Sequence, residues 1–121
     1  MPKTILIVED YEDSREVMKT LLELNGYRVS EAVDGCEAVK SFKHQRPDLI
    51  LMDISLPYMD GLTATKLIRE SEGKIKTPII AFTAFGDSFY KQAIEAGCND
   101  LVSKPVDFDS LEPVLNHYLK P

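Results

Sequence analysis

The sequence predicts a single α/β domain over residues 1–121, a three-layer, doubly wound fold of five β–α units around a parallel sheet. Two observations carry this. Short apolar runs alternate with stretches of helical periodicity along the whole chain. Three of those runs, residues 5–8, 49–52 and 79–82, are apolar at every position, as strands buried on both faces are, so they belong at the centre of the sheet.

Each element follows in order. Ile5-Leu6-Ile7-Val8 is the first strand. Val17, Leu21 and Leu24 then recur at helical spacing and form the apolar face of the first helix, with Gly26 as its stop. Residues 28–33 mix polar and apolar side chains, as a half-exposed edge strand does. Asp34-Gly35 opens a second helix carrying Ala38, Val39 and Phe42, and residues 49–52 are the third strand. Asp60 caps a helix through Leu67 and Ile68. Residues 79–82 are the fourth strand, a helix with Ala93 and Ile94 ends near Gly97, and Leu101-Val102 form a short fifth strand. Leu111, Val114, Leu115, Tyr118 and Leu119 share one face of the last helix, with Pro113 near its fourth position, where a missing N–H costs little. With strands two and five at the edges, the order 2-1-3-4-5 satisfies these demands using right-handed crossovers.

Composition narrows the function classes. A net charge of -6 argues against a nucleic-acid partner, and the densest cationic stretch, residues 66–76, is interleaved with Glu70 and Glu72. No run approaches the ~20 apolar residues that span a bilayer, and residues 1–3 lead straight into a strand. The expected location is the cytoplasm, with Cys36 and Cys98 as small core thiols. His44 and His117 fall among polar helix residues and are expected to face solvent.

Ligands of open α/β sheets bind beyond the carboxyl ends of the strands, where the strand order reverses. Strands one and three flank that point, and acid follows each: Glu9-Asp10 after the first, Asp53 after the third. Thr83 follows strand four and Lys104 lies just past strand five. Two carboxylates about 4 Å apart repel by roughly 4 kcal/mol at an effective dielectric of 20. One lysine against three acids leaves a formal charge that suits a divalent cation, and oxygen-only ligands favour Mg²⁺.

The segments Val8-Glu9-Asp10, Met52-Asp53-Ile54-Ser55-Leu56-Pro57-Tyr58-Met59-Asp60-Gly61, Phe82-Thr83-Ala84 and Ser103-Lys104-Pro105 resemble the signature of response-regulator receiver domains. These are the CheY-like proteins of two-component phosphorelays, and the resemblance covers essentially the whole chain. It implies the flavodoxin-like strand order given above. It also implies a signalling domain rather than an enzyme, assisting its own phosphorylation and slow dephosphorylation.

Residue by residue, the resemblance makes Asp53 the phosphoacceptor. Asp10, one Asp53 oxygen and the Ser55 backbone carbonyl would ligate Mg²⁺, with Glu9 acting through a water. Lys104 would pair with the phosphoryl group, Thr83 and the Ala84 amide would bind it, and Lys104-Pro105 would be a cis peptide. Ser55 and Phe85 occupy the positions that tune phosphoryl lifetime in the family. Leu101 stands where the family commonly has an aromatic switch residue, so phosphorylation is expected to shift helix four with little aromatic rearrangement.

The expected partners are a histidine kinase and/or a histidine phosphotransfer protein, and a downstream protein that docks on helix four, strand five and helix five. Neither nucleic acid nor membrane is expected, and the expected state is a monomer or a weak phosphorylation-dependent dimer. Met1 as first residue favours a free-standing regulator. Tyr11 and Tyr58 flank the site as candidate partner contacts. A haloacid-dehalogenase-like phosphatase would want an aspartate where Ser55 stands. A flavodoxin would want a phosphate loop where Glu9-Asp10 stand. A pseudo-receiver, an interaction module that has lost phosphorylation, would lack some of the acids, the threonine or the lysine.

Overall fold

In a computed structural model of the chain, residues 2–56, 59–84 and 86–119 are described. The elements are β1 (Thr4–Val8), α1 (Glu12–Leu24), β2 (Arg28–Ala32), α2 (Gly35–His44), β3 (Leu49–Asp53), α3 (Gly61–Ser71), β4 (Ile79–Thr83), α4 (Tyr90–Ala96), β5 (Asp100–Ser103) and α5 (Phe108–Leu119). The strands pair in parallel in the order β2-β1-β3-β4-β5, as the sequence predicts. Every residue of β3 and β4 is buried, and in β1 only Thr4 is partly accessible.

Strand alternation sorts the core into two layers. Ile5, Ile7, Leu49, Leu51, Ile80 and Phe82 pack under Met18 and Leu22 of α1 and Leu111 and Leu115 of α5. Leu6, Val8, Ile50, Met52 and Ala81 pack on the other face against α2, α3 and α4, through Phe42, Ala64, Ile68 and Ala93.

Local chemistry sets the helix ends. Asp34 accepts from Glu37 N–H at 2.8 Å, and the Glu37 carboxylate in turn accepts from Val33 N–H at 3.0 Å, a reciprocal cap on α2. Asp60 accepts from Thr63 N–H at 2.8 Å and so starts α3. Gly26, at φ 91°, and Gly97, at φ 116°, follow α1 and α4 in the left-handed conformation that ends helices. A single 3₁₀ turn, Gly86–Phe89, leads into α4 and is not foreseen from the sequence.

Three expectations are corrected. Val17 and Leu24 are 56% and 77% exposed, and the buried face of α1 is Met18 and Leu22, one residue further round the helix. Cys98 is buried but Cys36 is exposed, because it lies at the second position of α2 on the side away from Ala38 and Phe42. Pro113 is the sixth residue of α5, not the fourth. It sits on the exposed side of the helix, where water can serve the carbonyl its ring leaves without a donor. His44 and His117 are exposed, as expected. Among the described residues, no helix is long and apolar enough to cross a membrane.

Candidate functional site

Asp53 is the last residue of β3 and only 1% exposed. Its backbone is held on the α3 side by Gly61. A Cβ on Gly61 would collide with the Asp53 carbonyl and stand 2.8 Å from Ile54 Cα, so only glycine lets the helix start come this close. The Asp60-Gly61 pair therefore does two jobs: the acid caps the helix and the glycine admits it against the strand end. One Asp53 oxygen, Oδ1, accepts from Ser55 N–H at 2.9 Å, and the other, Oδ2, accepts from the Lys104 ammonium at 3.0 Å.

Glu9 extends the β1–β2 ladder one residue beyond β1, its N–H donating to Ala32 O at 3.1 Å. This buries its side chain to 1%. Oε1 accepts from Lys104 Nζ at 3.1 Å. Oε2 is buried and, among the described residues, has no hydrogen-bond partner. A buried carboxylate oxygen without a donor is costly and uncommon. Asp10 is exposed, and carboxylate oxygens of Glu9, Asp10 and Asp53 lie within 4.8 Å of one another. An all-oxygen set with one unsatisfied buried oxygen fits a hard divalent cation.

Lys104 reaches this point from the end of β5, and its N–H donates to Thr83 O at 2.8 Å, tying the β4 and β5 ends together. The Lys104-Pro105 peptide is cis, as the resemblance implies. Burial acts to lower the Lys104 ammonium, but the Asp53 and Glu9 carboxylates outweigh it and hold the group above its ordinary value. Burial, reinforced by the neighbouring Asp53 carboxylate, pushes Glu9 up. Thr83 is buried at the end of β4, with Ala84 exposed beside it. Leu101 is half-buried and packs on the α2–α4 side of the sheet. Ser55 is exposed, while Tyr58 and Phe85 lie outside the described residues.

A cleft of about 660 Å³ opens beside the acids, lined by Glu9, Val17, Phe82, Ala84, Lys104 and Pro105 among others. Tyr11 stands 62% exposed at its rim, and Val17, exposed and lining the cleft, shares one side of α1 with half-buried Leu21 and exposed Leu24. Sequence reasoning missed two supports. Arg15 donates to Glu9 O at 3.0 Å while its Nε is anchored on Glu31 at 3.0 Å, fixing the turn that carries the acids. Phe82 lies under the Lys104 ammonium, 5.1 Å from ring centroid to Nζ. Arg15 gave no sequence signal, and Phe82 gave only its place beside Thr83.

The family model described as "Response regulator receiver domain" matches residues 5–116. The chain belongs to this family. As a receiver domain it is a signalling module of two-component phosphorelays. It is 37% identical over 120 residues to the polar-differentiation response regulator DivK of Brucella anthropi, covering 98% of each chain. It is 45% identical over 118 residues to hybrid signal transduction histidine kinase G of Dictyostelium discoideum. That match takes in 94% of this chain but only 3% of the kinase. Receivers of this kind therefore occur both as nearly whole proteins and as small parts of long ones. The receiver domain of the sensor histidine kinase PA1611 from Pseudomonas aeruginosa superposes with a TM-score of 0.89 at 39% identity, with each chain fully covered. That structure has a magnesium ion coordinated in its active site cleft.

Proposed function

We propose that the whole chain acts as one phosphoacceptor unit in which Asp53 takes a phosphoryl group from a phosphohistidine. The donor is a histidine kinase or a histidine phosphotransfer protein. The observation that carries this reading is the charge balance at the strand ends. Glu9 and Asp53 both press on one ammonium, Asp10 adds a third acid, and Glu9 Oε2 has no hydrogen-bond partner among the described residues.

Glu9, Asp10, Asp53 and the Ser55 carbonyl would hold the Mg²⁺, which supplies charge neutralisation for the incoming phosphoryl oxygens. In the transfer, an Asp53 carboxylate oxygen forms a bond to phosphorus as the phosphorus–nitrogen bond to the donor imidazole breaks. The electron pair of that bond stays on the departing imidazole nitrogen. Phosphoryl transfer needs little from the protein beyond positioning and charge stabilisation. Ser55 N–H orients the carboxylate from Oδ1, and Lys104 is placed to follow the negative charge onto the phosphoryl oxygens. Thr83 and the Ala84 amide bind those oxygens once they arrive. Ser55 and Phe85, two residues beyond Asp53 and Thr83, govern how readily water removes the group again.

Each new charge-assisted hydrogen bond contributes about 1.5–3 kcal/mol. Two or three approach the ~5.5 kcal/mol that inverts a 1:99 equilibrium. The face they bias is α4, β5 and α5, where Tyr90 and Ile94 are already exposed and Leu101 replaces the usual aromatic. A downstream protein docks there. Exposed Val17, which lines the cleft, and exposed Leu24 further along α1 suit a protein donor rather than a small one, since apolar side chains open to solvent beside a site can mark contact surfaces.

Intact mass after treatment with a phosphohistidine donor or acetyl phosphate tests the reading. One phosphoryl adduct is expected, dependent on Mg²⁺ and abolished by Asp53→Ala. A blank with both donors would favour an interaction module without phosphorylation.

A further inference from the structure

Phe82 has a role that core packing alone does not require. It sits in β4 opposite Asp53 on one side and Val102 on the other, 1% exposed, its ring on the α1–α5 side of the sheet with Ile80. An aliphatic side chain would fill that layer as the neighbouring isoleucines and leucines do. A ring adds something they lack, a negative face, and the Lys104 ammonium stands over that face at 5.1 Å. This is inside the ~6 Å range over which a cation is held by an aromatic quadrupole.

The lysine needs such a contact. Its stem is long and has many rotamers to give up, and its side chain remains 27% exposed. Two carboxylate oxygens hold Nζ from the acid side, Glu9 Oε1 at 3.1 Å and Asp53 Oδ2 at 3.0 Å. Those two contacts alone let the ammonium swing about the line joining them. The ring supplies a third point of attachment. Unlike the carboxylates, it does not change partner when a phosphoryl group arrives.

We propose that Phe82 is a positioning residue for Lys104: its ring face fixes the height of the ammonium above the sheet, so that the charge is already in place where phosphoryl oxygens develop. The proposal rests on the reading that Lys104 serves phosphoryl transfer to Asp53. It predicts that the electron density of the ring, and not its bulk, sets how well Lys104 works.

The test replaces Phe82 site-specifically with phenylalanines bearing one, two and three ring fluorines, which drain the quadrupole while keeping the shape, with Phe82→Leu alongside. Two quantities are read: the rate of adduct formation from acetyl phosphate at saturating Mg²⁺, and the NMR shift separation of the two Lys104 Hε protons. That separation is present only when the side chain is held. The expected result is a stepwise fall in rate, reaching about five-fold with three fluorines, and a parallel collapse of the Hε separation at unchanged melting temperature. Equal rates and equal separations across the fluorine series would overturn the proposal, whatever Phe82→Leu does to folding. If the wild type takes no phosphoryl group from acetyl phosphate or from a phosphohistidine donor, the functional reading fails. The Hε series then decides the role of Phe82 alone: stepwise collapse upholds it and constancy overturns it.

Discussion

Two glutamates lie buried near opposite ends of the sheet, and their surroundings differ in kind. Glu72, at the end of α3, has a side chain with no exposed surface. Arg69 donates to Oε1 at 2.7 Å and to Oε2 at 2.9 Å, and Thr77 N–H donates to Oε2 at 3.0 Å. Arg69 then spends its other donors on Gly97 O, Thr77 O and Asn99 Oδ1, locking the ends of α3 and α4 to the starts of β4 and β5. Gly97 is required twice there, by its φ of 116° and because a Cβ would stand 2.8 Å from Arg69 Cγ. Glu9 is as deeply buried but shares one ammonium with Asp53 and, among the described residues, leaves Oε2 unserved. This chain can satisfy a buried carboxylate completely where structure is the only demand. At the other end it leaves charge unmatched, and unmatched charge is what a divalent ion and a phosphoryl group can use.

Removing the satisfied end's cation gives the largest expected effect. Arg69→Ala leaves Glu72 buried without its partner and should lower the unfolding free energy by about 3–5 kcal/mol in urea titration. The fraction of folded protein that takes an Asp53 adduct should not change. A loss below about 1 kcal/mol would mean that Lys76, 3.6 Å from Glu72 Oε1, replaces Arg69 and that the two ends differ less than described.

A smaller effect, of opposite character, belongs to pH. Glu9 is held above its ordinary 4.5 by burial and by Asp53. Between 4.5 and that raised value the folded protein binds more protons than the unfolded chain, so Glu9's contribution to metal-free stability falls as pH rises through the window. Over the same window Mg²⁺ should bind more tightly, because the ion competes with the Glu9 proton. Unfolding curves across that range without metal, for wild type and Glu9→Gln, check the sign. The Glu9 contribution should vanish in the variant, and a slope unaltered by the substitution would remove Glu9 from the account.

How these two ends read from the sequence differs as well. The candidate site was legible because its acids and threonine come at the ends of apolar runs, its lysine comes just past the fifth strand, and strand ends converge by topology. The sheet order was legible because fully apolar runs can only be central. Arg69 and Glu72 were not, since three-residue spacing on a helix also describes a solvated pair and nothing local reveals burial. The face of α1 was misjudged for a similar reason. Val17, Leu21 and Leu24 keep helical spacing as well as Met18 and Leu22 do, and periodicity does not say which stripe meets the sheet. Phe82 reads as one more core residue until Lys104, distant in sequence, is seen to fold over it.

The most direct test of this contrast is a paired melt of Glu9→Gln and Glu72→Gln, each with and without Mg²⁺. Glu72→Gln should lose about 3 kcal/mol in both conditions and keep the wild-type response to the ion. Glu9→Gln should be at least as stable as wild type without Mg²⁺ and should gain less from adding it. If Glu9→Gln instead loses as much as Glu72→Gln, with its Mg²⁺ response intact, then Glu9 is a structural residue and the unmatched charge at the strand ends is not a cation site.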